Sequence, residues 1–285
     1  MTAATLWQCR DRSVDLGAPV VMGVLNVTPD SFSDGGRFAE RGAALAQARR
    51  MIDEGAAIID IGGESTRPGA APASVEEELD RVVPVIDALR RECAAFISVD
   101  TSKPEVMRAA CAAGADIIND VRALCEPDAL TTAAHTGAGI CLMHMKGEPR
   151  TMQAAPRYDD VVGEVSAFLA ERVAACRAAG IESARLTVDP GFGFGKRIVD
   201  NLALLKHLGV LRKLGVPLAV GLSRKSMLAK ITGREVDDRT AGSIALAAIA
   251  VLNGARIVRA HDVAATIDAI RVAAAVAQGE SFDGT

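Results

Sequence analysis

Aromatic side chains are scarce in this sequence, with one Trp, one Tyr and seven Phe among 285 residues. A core made without them has to be aliphatic and alanine-rich, a composition that suits close packing of helices on a barrel. An excess of basic charge is missing too: 32 Lys and Arg stand against 36 Asp and Glu, a net charge of -4. That excludes a broad electrostatic footprint for nucleic acid or an anionic membrane, so any bound anion has to be held by locally placed groups. The six cysteines, at 9, 93, 111, 125, 141 and 176, form no C-x-x-C pair and no regular spacing. This argues against a zinc site and a disulfide framework and leaves buried free thiols as the expectation. No apolar stretch is long and uncharged enough to span a bilayer, and the N-terminus lacks the basic start and long apolar core of a signal peptide, so a cytoplasmic location is expected. Neither a fixed-period repeat nor a low-complexity tract nor a coiled-coil heptad occurs, and no linker divides the chain.

What the sequence does have is eight short apolar runs, each ending in a polar or glycine-rich cluster. They span 20–27, 57–63, 96–101, 116–121, 140–145, 186–191, 218–223 and 256–261. Helical periodicity fills the intervals, so strand and helix alternate throughout, which predicts parallel strands joined by helical crossovers. Eight such units in a chain of this length fit an α/β protein with a single (β/α)8 TIM barrel over residues 1–285. In that architecture the active site is built from the loops that follow the strands, where the polar clusters lie.

Three of those loops are long: 28–39, 65–74 and 146–159. The first contains Pro29, Gly35 and Gly36, and the second Pro68, Gly69 and Pro72, which is turn chemistry rather than helix or strand. The first two, with glycine hinges and polar tips, are expected to be mobile covers over the barrel mouth.

Asp100, Asn119 and Asp189 close the third, fourth and sixth runs, and Lys225 follows the seventh. Two carboxylates, a carboxamide and an ammonium form a donor and acceptor array suited to a flat heterocycle that carries an amino group, a ring N–H and a carbonyl. Helix capping is the plain alternative for any one of them. Metal binding by the aspartates is another, although no histidine or third carboxylate joins them in sequence. A second set is Arg259 and His261 at the end of the eighth run, beside Asn26 at the end of the first once a barrel closes. Arg and His donate to phosphate oxygens, and an Asn oxygen suits a magnesium ion bridging to the same phosphate, so this set points to a diphosphate; for the His taken alone a capping or core role is the plainer reading, and its adjacency to Asn26 is what favours the ligand. The segment D-P-G-F-G-F-G-K from Asp189 lacks the G-K-[ST] ending of a phosphate loop. It reads as a wall brought close to a planar ligand, with Phe192 and Phe194 as apolar faces or, equally, as core aromatics. In G-L-S-R-K-S from Gly221, Ser226 stands at the start of a helical turn, where backbone N–H groups suit a carboxylate or phosphate. A solvated polar loop is the alternative there.

Taken together, these segments resemble the dihydropteroate synthase family over nearly the whole chain. The likeness rests on L-N-V-T-P-D-S-F-S-D-G-G from Leu25, D-I-G-G-E-S-T-R-P-G from Asp60, S-V-D-T from Ser98, I-I-N-D-V from Ile117 and M-H-M-K-G-E-P from Met143. D-P-G-F-G-F-G-K, G-L-S-R-K-S and R-A-H-D from Arg259 complete it. One small departure is Ala260, where the family carries a larger aliphatic residue.

The resemblance implies that 6-hydroxymethyl-7,8-dihydropterin diphosphate and 4-aminobenzoate give 7,8-dihydropteroate and diphosphate, with Mg2+ assisting. It assigns the pterin to Asp100, Asn119, Asp189, Lys225, Phe194 and Met143, and the diphosphate to Asn26, Arg259, His261, Thr66 and Arg67. Asn26 also takes the metal. Phe32, Thr66, Arg67, Pro68 and Ser226 are assigned to 4-aminobenzoate, which implies inhibition by sulfonamides, and Asp100, Lys225, Arg259 and His261 to catalysis. A homodimer is implied as well. Two rivals stand beside this reading: a folate-dependent methyltransferase or corrinoid partner with the same kind of barrel, and a catalytically silent pterin binder.

Overall fold

The computed structural model describes residues 5–28, 36–65, 72–148 and 151–279. An antiparallel hairpin, β1 (Leu6–Cys9) and β2 (Arg12–Asp15), precedes eight parallel strands. These are β3 (Val20–Asn26), β4 (Ile58–Gly62), β5 (Phe96–Asp100), β6 (Ile117–Asp120), β7 (Gly139–Met143), β8 (Leu186–Asp189), β9 (Ala219–Gly221) and β10 (Ile257–Ala260). Pairing runs β8-β7-β6-β5-β4-β3-β10-β9. A parallel bridge from Val188 to Leu218 brings the two ends of that order together, which is the closed (β/α)8 barrel expected from the alternation. Each strand stops one or two residues short of the apolar run that predicts it, so His261 and Ser223 fall just beyond strand ends.

The helices form the outer layer: α1 (Gly36–Asp53), α2 (Val75–Glu92), α3 (Pro104–Ala113), α4 (Ala129–Thr136), α5 (Val161–Ala178), α6 (Ile198–Lys206), α7 (Ser226–Thr232), α8 (Thr240–Leu252) and α9 (Val263–Gln278). Helix α2 shows how sequence sets one of them. Ser74 caps it, with its hydroxyl accepting from the Glu77 N–H while the Glu77 carboxylate takes the Ser74 N–H, two orphan donors satisfied reciprocally. Val82, Val85, Ile86 and Leu89 then repeat at helical spacing and are buried against the barrel. Burial of each such side chain stabilises the fold by about 1.5–3 kcal/mol relative to exposure.

Along every barrel strand the side chains alternate between the helix layer and the axis. Near the N-terminal ends the axis is apolar, with Met22, Ile58, Ile117, Cys141, Ala219 and Ile257 in one cluster. The hairpin plugs this end: Trp7 is fully buried in the same cluster and donates from Nε1 to the Arg185 carbonyl at 2.9 Å. Nothing in the sequence announces this hairpin, because its turn carries Arg10 at φ 63° where a two-residue hairpin usually has Asn-Gly or Asp-Gly. One step or two further along the same inward positions the residues become polar, and the barrel opens into its mouth. All six cysteines are free; Cys125 is exposed and Cys93 half-buried, so the expectation of buried thiols holds for four of them.

Candidate functional site

Strand register explains why distant segments share one site. Asn26 pairs with Gly62, Gly62 with Asp100, and Asp100 with Asn119, while Met143 pairs with Asp189. On the other side Arg259 pairs with Met22 and Gly221, which puts the R-A-H segment beside the strand that ends in Asn26. Among the described residues, Asn26, Asp100, Asn119, Met143, Asp189, Lys225, Arg259 and His261 all lie at this end of the barrel. Phe32, Thr66, Arg67 and Pro68 lie outside the described residues, as do 29–35 and 66–71 of the two expected cover loops.

The centre of the mouth is an ion-pair network. Arg259 donates from Nε to Asp60 Oδ2 at 2.6 Å and from Nη2 to Asp100 Oδ2 at 2.7 Å, and Asn119 Nδ2 donates to the same Asp60 oxygen at 3.1 Å. Asp60 is fully buried. Its other oxygen, Oδ1, has no hydrogen-bond partner among the described residues, and neither does Oγ of Ser98, its register neighbour on β5. Unsatisfied buried polar atoms are costly, so two of them side by side in the barrel mark it as a place for water or a polar ligand. Asp60 was not singled out from the sequence, where it looks like one carboxylate in an apolar strand. The available signal was that an inward position between Ile58 and Gly62 carries a charge.

Burial pushes the Asp100 carboxyl up to about 7 against the pull of Arg259, and Asp60, Glu78 and Asp120 add to the rise. Burial, followed by the positive charge of Arg259, brings the Lys225 ammonium down to about 8, although Asp189 and Asp100 oppose this. Asp189 is also raised by burial, offset by the Gly191 amide that donates to Oδ1 at 2.7 Å and by Lys225, Lys196 and Arg259. Burial and then Arg259 and Arg224 lower His261 to about 4, so its imidazole is neutral at physiological pH. Ser223 Oγ lies 3.2 Å from the His261 N–H, which donates to it, and 3.0 Å from His261 Nδ1. We assign the hydroxyl as donor to Nδ1, which leaves the ring proton on Nε2 as the donor.

The two phenylalanines of the glycine-rich segment separate. Phe192 is 1 % exposed and part of the outer core, so it is no ligand wall, whereas the Phe194 ring lies 4.2 Å from Lys225 Nζ and borders the mouth. Gly221 leaves open space beside Asp189, since a Cβ there would stand 3.9 Å from Oδ2. Ala260 is buried among helix-facing residues, which makes the departure at this position remote from the network. Ser226 is the first residue of α7, exposed beside Lys225, as its sequence context predicts. A cavity of about 250 Å³ lies here, bounded by Gly193, Lys196, Lys225, Ser226 and Lys230. A second, of about 500 Å³, opens beside Asp100 and Val121 and reaches Glu64, Lys103 and Arg122. Sequence reasoning also missed Lys103, which donates to Glu64 and Glu78 and so ties the root of the second long loop to α2 and α3.

Among the described residues no group of three or more His, Cys, Asp and Glu is placed to hold a metal ion. Asn26 at the end of β3 offers a single neutral oxygen, too few donors for a resident ion in a protein cage.

Residues 22–261 match the family model described as pterin binding enzyme. A dihydropteroate synthase of Escherichia coli (strain K12) is 54% identical over 260 residues, which cover 91% of this chain and 92% of that one. The solved structure of the Yersinia pestis dihydropteroate synthase with a sulfonamide drug complex superposes with a TM-score of 0.91 at 49% identity, over 96% of this chain and 100% of the other. Dihydropteroate synthase from Xanthomonas albilineans in complex with 7,8-dihydropteroate gives a TM-score of 0.87 at 51% identity, over 95% and 98% of the two chains.

Proposed function

The chain belongs to the family of pterin binding enzymes, and from that premise we infer that it carries out the dihydropteroate synthase reaction. This transferase chemistry joins 6-hydroxymethyl-7,8-dihydropterin diphosphate to 4-aminobenzoate and yields 7,8-dihydropteroate and diphosphate. One observation carries the reading from the structure upward: Asp60, Asp100, Asn119, Asp189, Lys225 and Arg259, delivered by six different barrel strands or their loops, meet in one polar mouth.

In our reading the pterin edge lies against Asp189 and Asn119, which accept and donate, with Lys225 donating and Met143 and Phe194 as apolar neighbours. A guanidinium has five N–H donors; two of those on Arg259 serve Asp60 and Asp100, and three remain for the diphosphate. Nε2 of neutral His261 supplies a further donor. Asn26 would hold magnesium, which when bound neutralises charge on the leaving diphosphate. Thr66 and Arg67 add diphosphate contacts, and Phe32, Thr66, Arg67, Pro68 and Ser226 take the 4-aminobenzoate, as the family resemblance implies. The bond from the exocyclic methylene carbon to the diphosphate oxygen breaks first, and the electron pair leaves with the diphosphate. Ionised Asp100 stabilises the cation that is left on the pterin. The arylamine nitrogen then forms the new C–N bond and loses a proton to solvent. No protein nucleophile takes part, so catalysis is electrostatic preorganisation around a charge that separates and recombines.

We place this reaction in the cytoplasm; among the described residues no helix is long and apolar enough to cross a membrane. A homodimer is proposed through α8 and α9, whose Ile249, Leu252, Val272 and Val276 are exposed apolar side chains on an otherwise alanine-rich surface. The deciding experiment follows labelled 4-aminobenzoate into dihydropteroate while diphosphate release is measured, with each substrate and magnesium omitted in turn. Product that needs both substrates is expected. Folded protein that binds the pterin without making product would replace this reading with the silent homologue, and methyl transfer from a folate would replace it with the methyltransferase.

A further inference from the structure

Lys196 is 3 % exposed. Its ammonium lies 2.8 Å from the Gly191 carbonyl, 3.1 Å from that of Phe194, 3.3 Å from that of His144 and 2.9 Å from His144 Nδ1. None of the four partners is a carboxylate. A buried charge is costly unless its donors are satisfied, and here four acceptors surround three protons, so the surroundings are built to hold it. Burial and then the Lys196 charge hold His144 down at about 3; the ring is neutral and Nδ1 is free to accept.

These bonds join two segments whose backbones touch. A Cβ on Gly191, at φ +68°, would stand 1.9 Å from the His144 carbonyl oxygen, and one on Gly195, at φ +61°, would stand 2.1 Å from that of Lys146. Only glycine fits either position. The His144 N–H donates in turn to the Asp189 carbonyl at 3.0 Å. Gly191 is therefore gripped from both sides: its carbonyl accepts from Lys196, and its N–H aims the Asp189 carboxylate. Phe194, held by the same ammonium, carries its ring to Lys225.

We propose that Lys196 is a positioning residue for the pterin: its ammonium locks Gly191 so that the Asp189 carboxylate points into the mouth, and stands behind that carboxylate as a counter-charge without touching the substrate. This rests on the dihydropteroate synthase reading above. Asp189 faces Lys225 from the loop after β9, Arg259 from β10, Lys196 from its own loop and the Cys141 thiol from β7. Lys196 faces Asp189, Lys225, Asp200 and His144, and the His144 ring faces Lys146 and Glu164. Burial brings Lys196 down to about 7. Its charge is thus present on the acid side of neutrality and fades on the alkaline side.

The test compares wild type with Lys196→Gln, which keeps donors but not charge, and Lys196→Met, which keeps neither. The kcat and the KM of each substrate are measured from pH 5.5 to 8.5 on protein shown to be folded. In Lys196→Gln the pterin diphosphate KM should rise about tenfold at pH 6 and approach wild type at pH 8.5, with the 4-aminobenzoate KM unchanged. In Lys196→Met it should rise at every pH. A purely structural lysine would lower the melting temperature and leave pterin KM and pH profile alone, and that result in folded Lys196→Gln overturns the proposal. If neither neutral variant folds, Lys196→Arg, which keeps the charge but shifts it off the Gly191 carbonyl, must raise the pterin KM with an unmoved pH profile; a wild-type KM overturns it. Wild-type protein that makes no dihydropteroate would instead sink the functional reading.

Discussion

Replacing Arg259 with methionine separates the charge of this residue from its packing. The stem retains a similar length, so the loss falls on the guanidinium, which bonds a fully buried Asp60 at 2.6 Å and a nearly buried Asp100 at 2.7 Å. Breaking a buried ion pair by removing one partner costs about 3–5 kcal/mol because the other charge is left unpaired. That cost depends on pH with a definite sign. Asp100 sits at about 7 in the folded state with Arg259 already pulling it down, against about 3.9 in an unfolded chain. A carboxyl raised on folding contributes stability that is present below the unfolded value and lost as pH rises through the folded one. Without Arg259 the folded value rises further, so above pH 7 the wild type ionises Asp100 against a cation while the variant either holds its proton or ionises unpaired. The gap between them widens by up to about 1.4 kcal/mol per pH unit for that one proton. Urea unfolding can be followed through the single tryptophan, Trp7, which is fully buried in the barrel floor. The expected destabilisation is about 3–5 kcal/mol at pH 8.5 and about 1–2 kcal/mol less at pH 6. The same destabilisation at both pH values would refute the account of Arg259 as counter-charge to Asp100.

The pH profile of kcat/KM should be a narrow bell. Activity rises as Asp100 ionises near 7 and falls as Lys225 loses its proton near 8, so a flat profile from pH 6 to 9 would remove both from catalysis. Asp100→Asn should lower turnover on the order of a hundredfold while diphosphate affinity, measured by calorimetry, changes little; wild-type turnover would end the proposed role. Gly221→Ala should fold with a normal melting temperature but raise the pterin KM, because the new methyl meets no backbone and stands 3.9 Å from Asp189 Oδ2. Gly191→Ala, whose methyl would overlap the His144 carbonyl, should fail to fold, and equal behaviour of the two would contradict the described wall. Chelating magnesium should suppress turnover without lowering the melting temperature, since no acidic cage for the ion exists among the described residues; a falling melting temperature would point to a resident metal.

The barrel was legible because it repeats. Eight short apolar runs with helical periodicity between them leave few topologies, and each predicted strand is found within two residues at its polar end. Residues at those ends, such as Asp100, Asn119, Asp189 and Arg259, could be read as one site because a closed barrel brings all strand ends together regardless of separation in sequence. The hairpin was not legible, since four-residue strands with a non-glycine turn carry too little pattern, and their burial depends on a barrel floor that exists only after folding.

What the sequence concealed is the support behind the visible ligands. Asp60 and Lys196 are buried charges whose hydrogen bonds run to Arg259 and Asn119 in one case and to backbone carbonyls and His144 Nδ1 in the other. Residue type and spacing mark groups that meet a ligand at the mouth, but a carbonyl acceptor has no signature in sequence, because every residue has one. Lys196 therefore looks like the end of an incomplete phosphate loop until the fold shows its ammonium turned away from the ligand and into the wall. The same logic explains Phe192 and Phe194, two residues apart and indistinguishable by type: the left-handed Gly193 between them, at φ +82°, sends one ring into the helix layer and leaves the other beside Lys225. In this family of sites the pattern of charges selects the chemistry, and the backbone of the glycine-rich wall decides which of those charges the substrate meets.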